Sequence, residues 1–248
     1  KDRYIIMDNS LHELGEAYDN DRLDYWVKAL KPDEFIVPDV WLDREGTIDN
    51  AKKWLESPKR DYEPLAVAVV QGSTQHEAVL CFAQLVALGY KKIAISYGAP
   101  WYDEIMNSKI GSPSLRKAQG RMNFINTLIK MDLIPTNLKL HLLGCQVPQE
   151  FGWYLGIPQI ETIDTSNPVM AALEGEAYDH YGLNCKPSIN MNSKEMEINT
   201  PEQWAKTCLI IKHNVQKFRE INGLKHRNIQ LPPFPTKPKN RYSKSNYV

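Results

Sequence analysis

Leu65-Ala66-Val67-Ala68-Val69-Val70-Gln71-Gly72-Ser73 is the stretch on which the fold turns. Six apolar residues without a polar interruption mark a strand buried on both faces, the usual condition in a parallel sheet covered by helices. The run stops in an amide, a glycine and a hydroxyl, so its C-terminal tip is polar. The same unit repeats on either side. Upstream, Tyr4 to Met7 predicts a strand ending at Asp8-Asn9-Ser10, and Leu11 to Leu30 a helix stopped by Lys31-Pro32. Phe35-Ile36-Val37 then predicts a strand tipped by Pro38-Asp39, and Asp43 to Leu55 a helix. Downstream, Thr74 to Leu88 reads as a helix closed by Gly89, and Lys92 to Ser96 as a strand tipped by Tyr97-Gly98. A polar loop containing Trp101 leads to a helix over Ser114 to Met131. Leu138 to Leu143 is a strand ending in Gly144-Cys145, and Ile160 to Ile163 is a strand ending in Asp164.

Six strands alternating with helices imply right-handed crossovers and an α/β protein with a parallel sheet. Periodicity alone fits a (β/α) barrel and a doubly wound sheet equally. Polar groups at every strand tip, from Asp8, Asp39 and Gln71 to Ser96, Gly144 and Asp164, are what the active face of a barrel presents. Past Asp164 the rhythm breaks. Val169 to Tyr181 predicts the start of a helix, and residues 182–199 an irregular segment. Thr200 reads as an N-cap, with Pro201 at the first helical position and Gln203 completing a capping box. The helix that follows, ending near Gly223, carries Trp204, Cys208, Ile211, Val215 and Phe218 on one face.

Residues 1–223 therefore read as one domain, and 224–248 as a basic, Pro-rich tail. In that tail Lys237, Lys239, Arg241 and Lys244, with Tyr242 and Tyr247, are candidates to track a phosphate backbone while stacking on bases. A solvated surface tail is the competing reading. The 248 residues are 42% hydrophobic and 24% charged with zero formal charge, so no global field draws the chain to a polyanion. Four dispersed cysteines without a C-x-x-C pair signal neither a disulfide framework nor a standard zinc site. No apolar run approaches the roughly 20 residues of a membrane span, and Lys-Asp-Arg-Tyr does not open a secretory signal. The expectation is a cytoplasmic protein with reduced thiols and no membrane partner.

Asp8, Asp39 and Asp164 carry the chemical signal. Two carboxylates across a pocket can divide labour, one attacking an anomeric carbon and the other moving a proton; an Asp after a strand can equally cap the next helix. Met7-Asp8-Asn9-Ser10, Val37-Pro38-Asp39, Val69-Val70-Gln71-Gly72-Ser73, Ile95-Ser96-Tyr97-Gly98, His141-Leu142-Leu143-Gly144 and Thr162-Ile163-Asp164-Thr165-Ser166 stand in the order seen in tRNA-guanine transglycosylases. The chain most resembles their DNA-directed relatives of bacteria and phages, which insert 7-deazaguanine bases into DNA. The resemblance runs from Asp8 to about Leu173.

That resemblance implies a TIM-type (β/α)8 barrel, with two strands expected upstream of Lys1, followed by a C-terminal helix and the basic tail. It implies that Asp164 attacks the sugar C1′ and that Asp8 is the acid/base. Asp39 and Gln71 would read the guanine edge, with Gly72 and Gly98 beside the base. Leu143 would lie against the base, opposite His12, which stands where the family has an aromatic. No cofactor is implied. The zinc subdomain of the tRNA enzymes needs three clustered cysteines and a histidine, and this stretch offers Cys185 with His180 nearby, so no metal is expected. The implied partners are DNA (alternatively tRNA), a free 7-deazaguanine base, and a second subunit, identical or different. A phage-encoded chain would work in the host cytoplasm.

Two departures from the family stand out. Its Asp-Ser-Gly-Gly turn is here Asp8-Asn9-Ser10-Leu11, and its strand glycine pair is Ile93-Ala94. They keep open a third reading, a non-catalytic nucleic-acid-binding subunit. His141, Trp41, Trp101, Trp153 and Cys145 fall outside the expected site, as a hydrogen-bonded strand histidine, loop aromatics covering core edges, and a thiol without a basic neighbour.

Overall fold

The alternation of apolar runs and capped helices builds a curled, all-parallel sheet. A computed structural model describes residues 3–9, 11, 15–17, 19–57, 63–106, 111–188, 198, 200–231 and 233. Six strands, β1 (Ile6–Met7), β2 (Glu34–Ile36), β3 (Leu65–Val70), β4 (Lys92–Ser96), β5 (Lys139–Leu143) and β6 (Ile160–Ile163), pair in strict chain order. The connecting helices are α1 (Asn20–Leu30), α2 (Arg44–Glu56), α3 (Gln75–Ala87), the short α4 (Trp101–Glu104) and α5 (Pro113–Lys130). After β5 come a 3-10 helix (Pro148–Tyr154) and, beyond β6, α6 (Asn167–Leu173) and α7 (Pro201–Ile221).

The caps set the helix starts. Asp19, Asp43, Thr74 and Ser112 each accept a backbone N–H of the first turn, and Thr200 with Gln203 forms the expected capping box. The helix expected over Leu11 to Leu30 is interrupted: Leu11 is helical and its carbonyl accepts the Gly15 N–H at 2.9 Å, the chain bends at Gly15, where φ is +82°, and Asp19 caps a second helix that starts at Asn20. Trp101, expected in a loop, opens α4 instead, driven by burial of its indole with Tyr102 against Phe124.

Packing decides between a barrel-like and a doubly wound arrangement. Phe35, Ala68, Val70, Ile93, Ile95, Leu140 and Leu142 face one way, into a core with Leu23, Val27, Trp54, Phe82, Leu85, Phe124 and Leu128 of the helices. The opposite face buries a small set drawn from strands alone, Ile36, Val67, Val69 and Ala94 with Ile6 and Leu143. The main helix-built core therefore lies on the convex side, and the sheet curls into a half-barrel.

Inside the curl, side chains from alternate strands meet. Lys92 of β4 is fully buried and reaches Glu34 of β2 at 2.8 Å and Glu161 of β6 at 3.0 Å. Such a layer from every second strand is how barrel interiors fill. A one-residue register shift between Leu140 and His141 makes Glu161 an extra residue on β6. The bulge puts Glu161 and Thr162 on the same inner face, where simple alternation would separate them.

At the other end of the strands, Arg121 of α5 is buried beneath the tips. Its guanidinium binds Glu150 at 2.6 Å and the carbonyls of Ile95 (3.3 Å), Leu143 (2.9 Å) and Gly144 (2.9 Å). Neighbouring Gly120 admits no side chain, since a Cβ there would stand 2.1 Å from the Tyr102 carbonyl oxygen.

Replacing Arg121 with Met would leave Glu150 a buried, unpaired carboxylate, a defect worth about 3 to 5 kcal/mol. Urea unfolding of Arg121→Met should show that loss, whereas the double variant Arg121→Met/Glu150→Leu should recover a large part of it.

Candidate functional site

The strand tips bring the candidate side chains to one end of the half-barrel. Asp8 follows β1 directly and is exposed, Asp39 lies three residues past β2, Gln71 follows β3, Leu143 ends β5, and Asp164 follows β6. Because β1 and β6 are the two edges of a curled sheet, Asp8 and Asp164 belong to its opposite rims. His12, Lys237, Lys239, Arg241 and Lys244 lie outside the described residues.

Asp164 has the most pointed surroundings. Its backbone N–H still pairs with Leu142 O, so the residue is held as an extension of β6. Oδ1 accepts the Gly144 N–H at 3.0 Å and stands 3.3 Å from His141 Nε2. Over half of the side chain is solvent-exposed, and among the described residues Oδ2 has no hydrogen-bond partner. One oxygen is thus anchored while the other faces solvent, as a nucleophilic carboxylate requires. His141, buried on the inner face of β5, is fixed in turn by a 2.9 Å contact between Nδ1 and Thr162 Oγ1.

Gly144 can present its N–H because it turns the chain with φ +62°, and the Tyr97 ring lies so close that a Cβ would come within 2.4 Å of it. Lys186, from the segment after α6, reaches over that ring at 4.8 Å and bonds the Tyr97 hydroxyl at 3.2 Å.

Asp39 and Gln71, both buried, are bonded to one another. Gln71 Nε2 donates to Asp39 Oδ2 and Asn9 Nδ2 to Asp39 Oδ1, each at 2.6 Å, and Gln71 Oε1 accepts the Leu42 N–H at 3.0 Å. Burial pushes the Asp39 carboxyl up to about 6; the two amide donors pull it down and the charge of Asp8 raises it again. At neutral pH the group is therefore mostly ionised, an acceptor for paired N–H donors such as a guanine edge offers.

The two glycines have packing reasons. A Cβ on Gly72 would meet Ala78 N at 2.6 Å, and its carbonyl accepts the Trp101 indole N–H at 3.0 Å; a Cβ on Gly98 would meet the Trp41 ring at 3.0 Å. Trp41 remains 44% exposed at the mouth. Leu143 joins the apolar set of the inner face. Cys145 is buried beside Thr165, and burial pushes its thiol up to about 12, which leaves it un-ionised.

His141, Asn9 and Tyr97 were not picked out as site residues in the sequence. His141 carried a signal, since it lies two residues before Leu143 on one strand and so shares its inward face. Nothing in the local sequence shows that Asn9 would reach Asp39. Among the described residues, no group of three or more His, Cys, Asp or Glu is placed to hold a metal ion, and no helix is long and apolar enough to cross a membrane. No protein-family model matches the chain, and no curated protein matches it in sequence.

The Asp39 geometry has a pH signature. A carboxyl raised from 3.8 to about 6 binds its proton more tightly when folded, so its contribution to stability is full below about pH 4 and is lost as pH rises through 6. Wild type should lose up to about 3 kcal/mol relative to Asp39→Asn between pH 4 and 7, taking roughly 1.4 kcal/mol per unit. Urea midpoints of the two proteins across that range measure it, and parallel curves would contradict the assignment.

Proposed function

We propose that the chain is a base-exchanging glycosyltransferase acting on guanine in DNA, built on a (β/α)8-type barrel of which these six strands form part. The observation that carries the reading is the half-anchored Asp164, with Oδ1 held by Gly144 N–H and His141 beside it, and Oδ2 open at a strand tip. A flipped nucleotide would place C1′ against Oδ2. As the Asp164–C1′ bond forms, the C1′–N9 bond breaks, and its electron pair leaves with guanine, which takes a proton from Asp8. The incoming 7-deazaguanine then returns a proton to Asp8 as its N9 attacks C1′ and releases Asp164. Protons balance over the cycle, and no electrons are exchanged.

Asp39 supports the reading as a buried acceptor for the N1–H and exocyclic amine of the base, with Gln71 serving the O6 edge. The base must replace the donors that Asn9 and Gln71 now supply. Because they already satisfy that carboxylate, a second reading follows: a nucleic-acid-binding subunit without base exchange.

Mass spectrometry of nucleosides from DNA and tRNA, each incubated with protein and 7-deazaguanine bases, separates the readings. The expected outcome is incorporation into DNA, abolished in Asp164→Ala and slowed about 100-fold or more in Asp8→Asn, the usual scale of acid–base assistance. His141→Leu should lower kcat about tenfold at constant KM for the base, with His141→Gln, which keeps a donor, close to wild type. Exchange surviving in Asp164→Ala would end the proposal; binding with no exchange would favour the second reading, and incorporation into tRNA alone would move the acceptor.

A further inference from the structure

The zero net charge of this chain conceals a strong polarity. Residues 201–248 contain ten Lys and Arg against two Glu, a net of +8, which leaves −8 on residues 1–200. The described part of the basic region has defined geometry. One side of α7 is committed to the protein: Thr207, Ile211 and Asn214 are buried, and Asn214 bonds the Pro168 and Glu176 carbonyls and the Tyr178 N–H.

The other side faces solvent, and the chain folds back along it. Leu224 N–H bonds Arg219 O at 2.8 Å, Arg219 Nε bonds Lys225 O at 2.7 Å, and Gln216 Nε2 bonds Arg227 O at 3.4 Å, while the His226 ring meets Gln216 Oε1. These bonds use the backbone carbonyls of Lys225 and Arg227 and leave both side chains, with that of Lys212 one helical turn before Gln216, unengaged. All three are exposed and, among the described residues, none has a side-chain partner. The one acid in this patch, Glu220, is neutralised by Lys217 at 2.6 Å and stands 3.0 Å from His226.

We infer that the exposed face of α7, with the folded-back Lys225-His226-Arg227, is a docking surface for the phosphate backbone of a nucleic-acid duplex. The occupant follows from the chemistry. A run of cations with its lone carboxylate already paired suits a repeating anion, and the apolar side chains exposed here, Leu209 and Leu224, are too few to make the apolar face that a lipid surface takes in. The acidic remainder of the chain repels the same polyanion, which orients the approach toward α7. The inference rests on the proposed nucleic-acid acceptor and names how that acceptor is held.

Fluorescence anisotropy with the full chain and a labelled DNA duplex of arbitrary sequence tests it. The triple variant Lys212→Gln/Lys225→Gln/Arg227→Gln should raise Kd about tenfold or more near 0.1 M salt. It should also flatten the slope of log K against log salt by about 2 to 3, close to one per lost phosphate contact. A control triple on the barrel helices and loops, Lys53→Gln/Lys91→Gln/Lys130→Gln, should bind like wild type. Absence of duplex binding, equal loss in the two triples, an unchanged slope, or preference for phosphatidylserine vesicles over duplex would each overturn the inference. The exchange assay fails independently: duplex binding through α7 without base exchange would sink the transglycosylase reading and leave the docking surface standing, and exchange with unaltered binding in the first triple would do the reverse.

Discussion

The Arg121 guanidinium is the constraint on which the site end of the molecule depends. The carbonyls of Ile95, Leu143 and Gly144 sit where the ladder between β4 and β5 runs out, and buried carbonyls without partners are costly. One planar cation from α5 satisfies all three, and Glu150 from the 3-10 helix supplies the counter-charge. An arginine suits the position because it keeps its charge when buried and offers several donors in a fixed fork. Anchoring the Gly144 carbonyl fixes the turn after β5. That turn aims the Gly144 N–H at Asp164, so the orientation of an exposed carboxylate is set by an ion pair in the core.

A second ionic centre closes the opposite end. Lys92 draws Glu34 and Glu161 toward the axis from the strands two removed on either side, which is possible only in a curled sheet. Between the two lies a thin apolar plug of Ile36, Val67, Val69 and Ala94. The inner face is therefore ionic, then apolar, then carboxylate-rich at the tips, in the order expected when an α/β barrel keeps stability at one end and chemistry at the other.

The carboxylates at the tips are held in different states. Asp164 is half open to water with one oxygen unbonded, whereas Asp39 is enclosed and doubly bonded by amides. The proposed reaction uses this difference, an open carboxylate for attack and an enclosed one as an acceptor whose present donors a ligand edge would replace. Packed on α6 and the 3-10 helix, α7 gathers positive charge on the surface of an otherwise acidic chain. The proposed base pocket in the cup of the curled sheet and the proposed phosphate-binding face on α7 are complementary parts of one nucleic-acid-directed reading.

The sequence by itself determined the strands, the helix starts at Asp43, Thr74 and Thr200 and the parallel class, because apolar runs and capping side chains act over a few residues; the Asp19 cap inside the expected Leu11 to Leu30 helix escaped it. Leu65–Val70, Lys92–Ser96 and Ile160–Ile163 were legible to the residue, and so was the Thr200 capping box. It also placed Asp8, Asp39, Gln71 and Asp164 at strand tips. Tertiary structure alone decided the curl of the sheet, the bulge that turns Glu161 and Thr162 to one face, and the pairing of Asp39 with Asn9, thirty residues away. It also brought His141 to Asp164, on neighbouring strands joined by a long connection. The physical reason is range: propensity and periodicity are local, whereas a buried charge or amide takes its partner from whichever strand the closed sheet sets beside it.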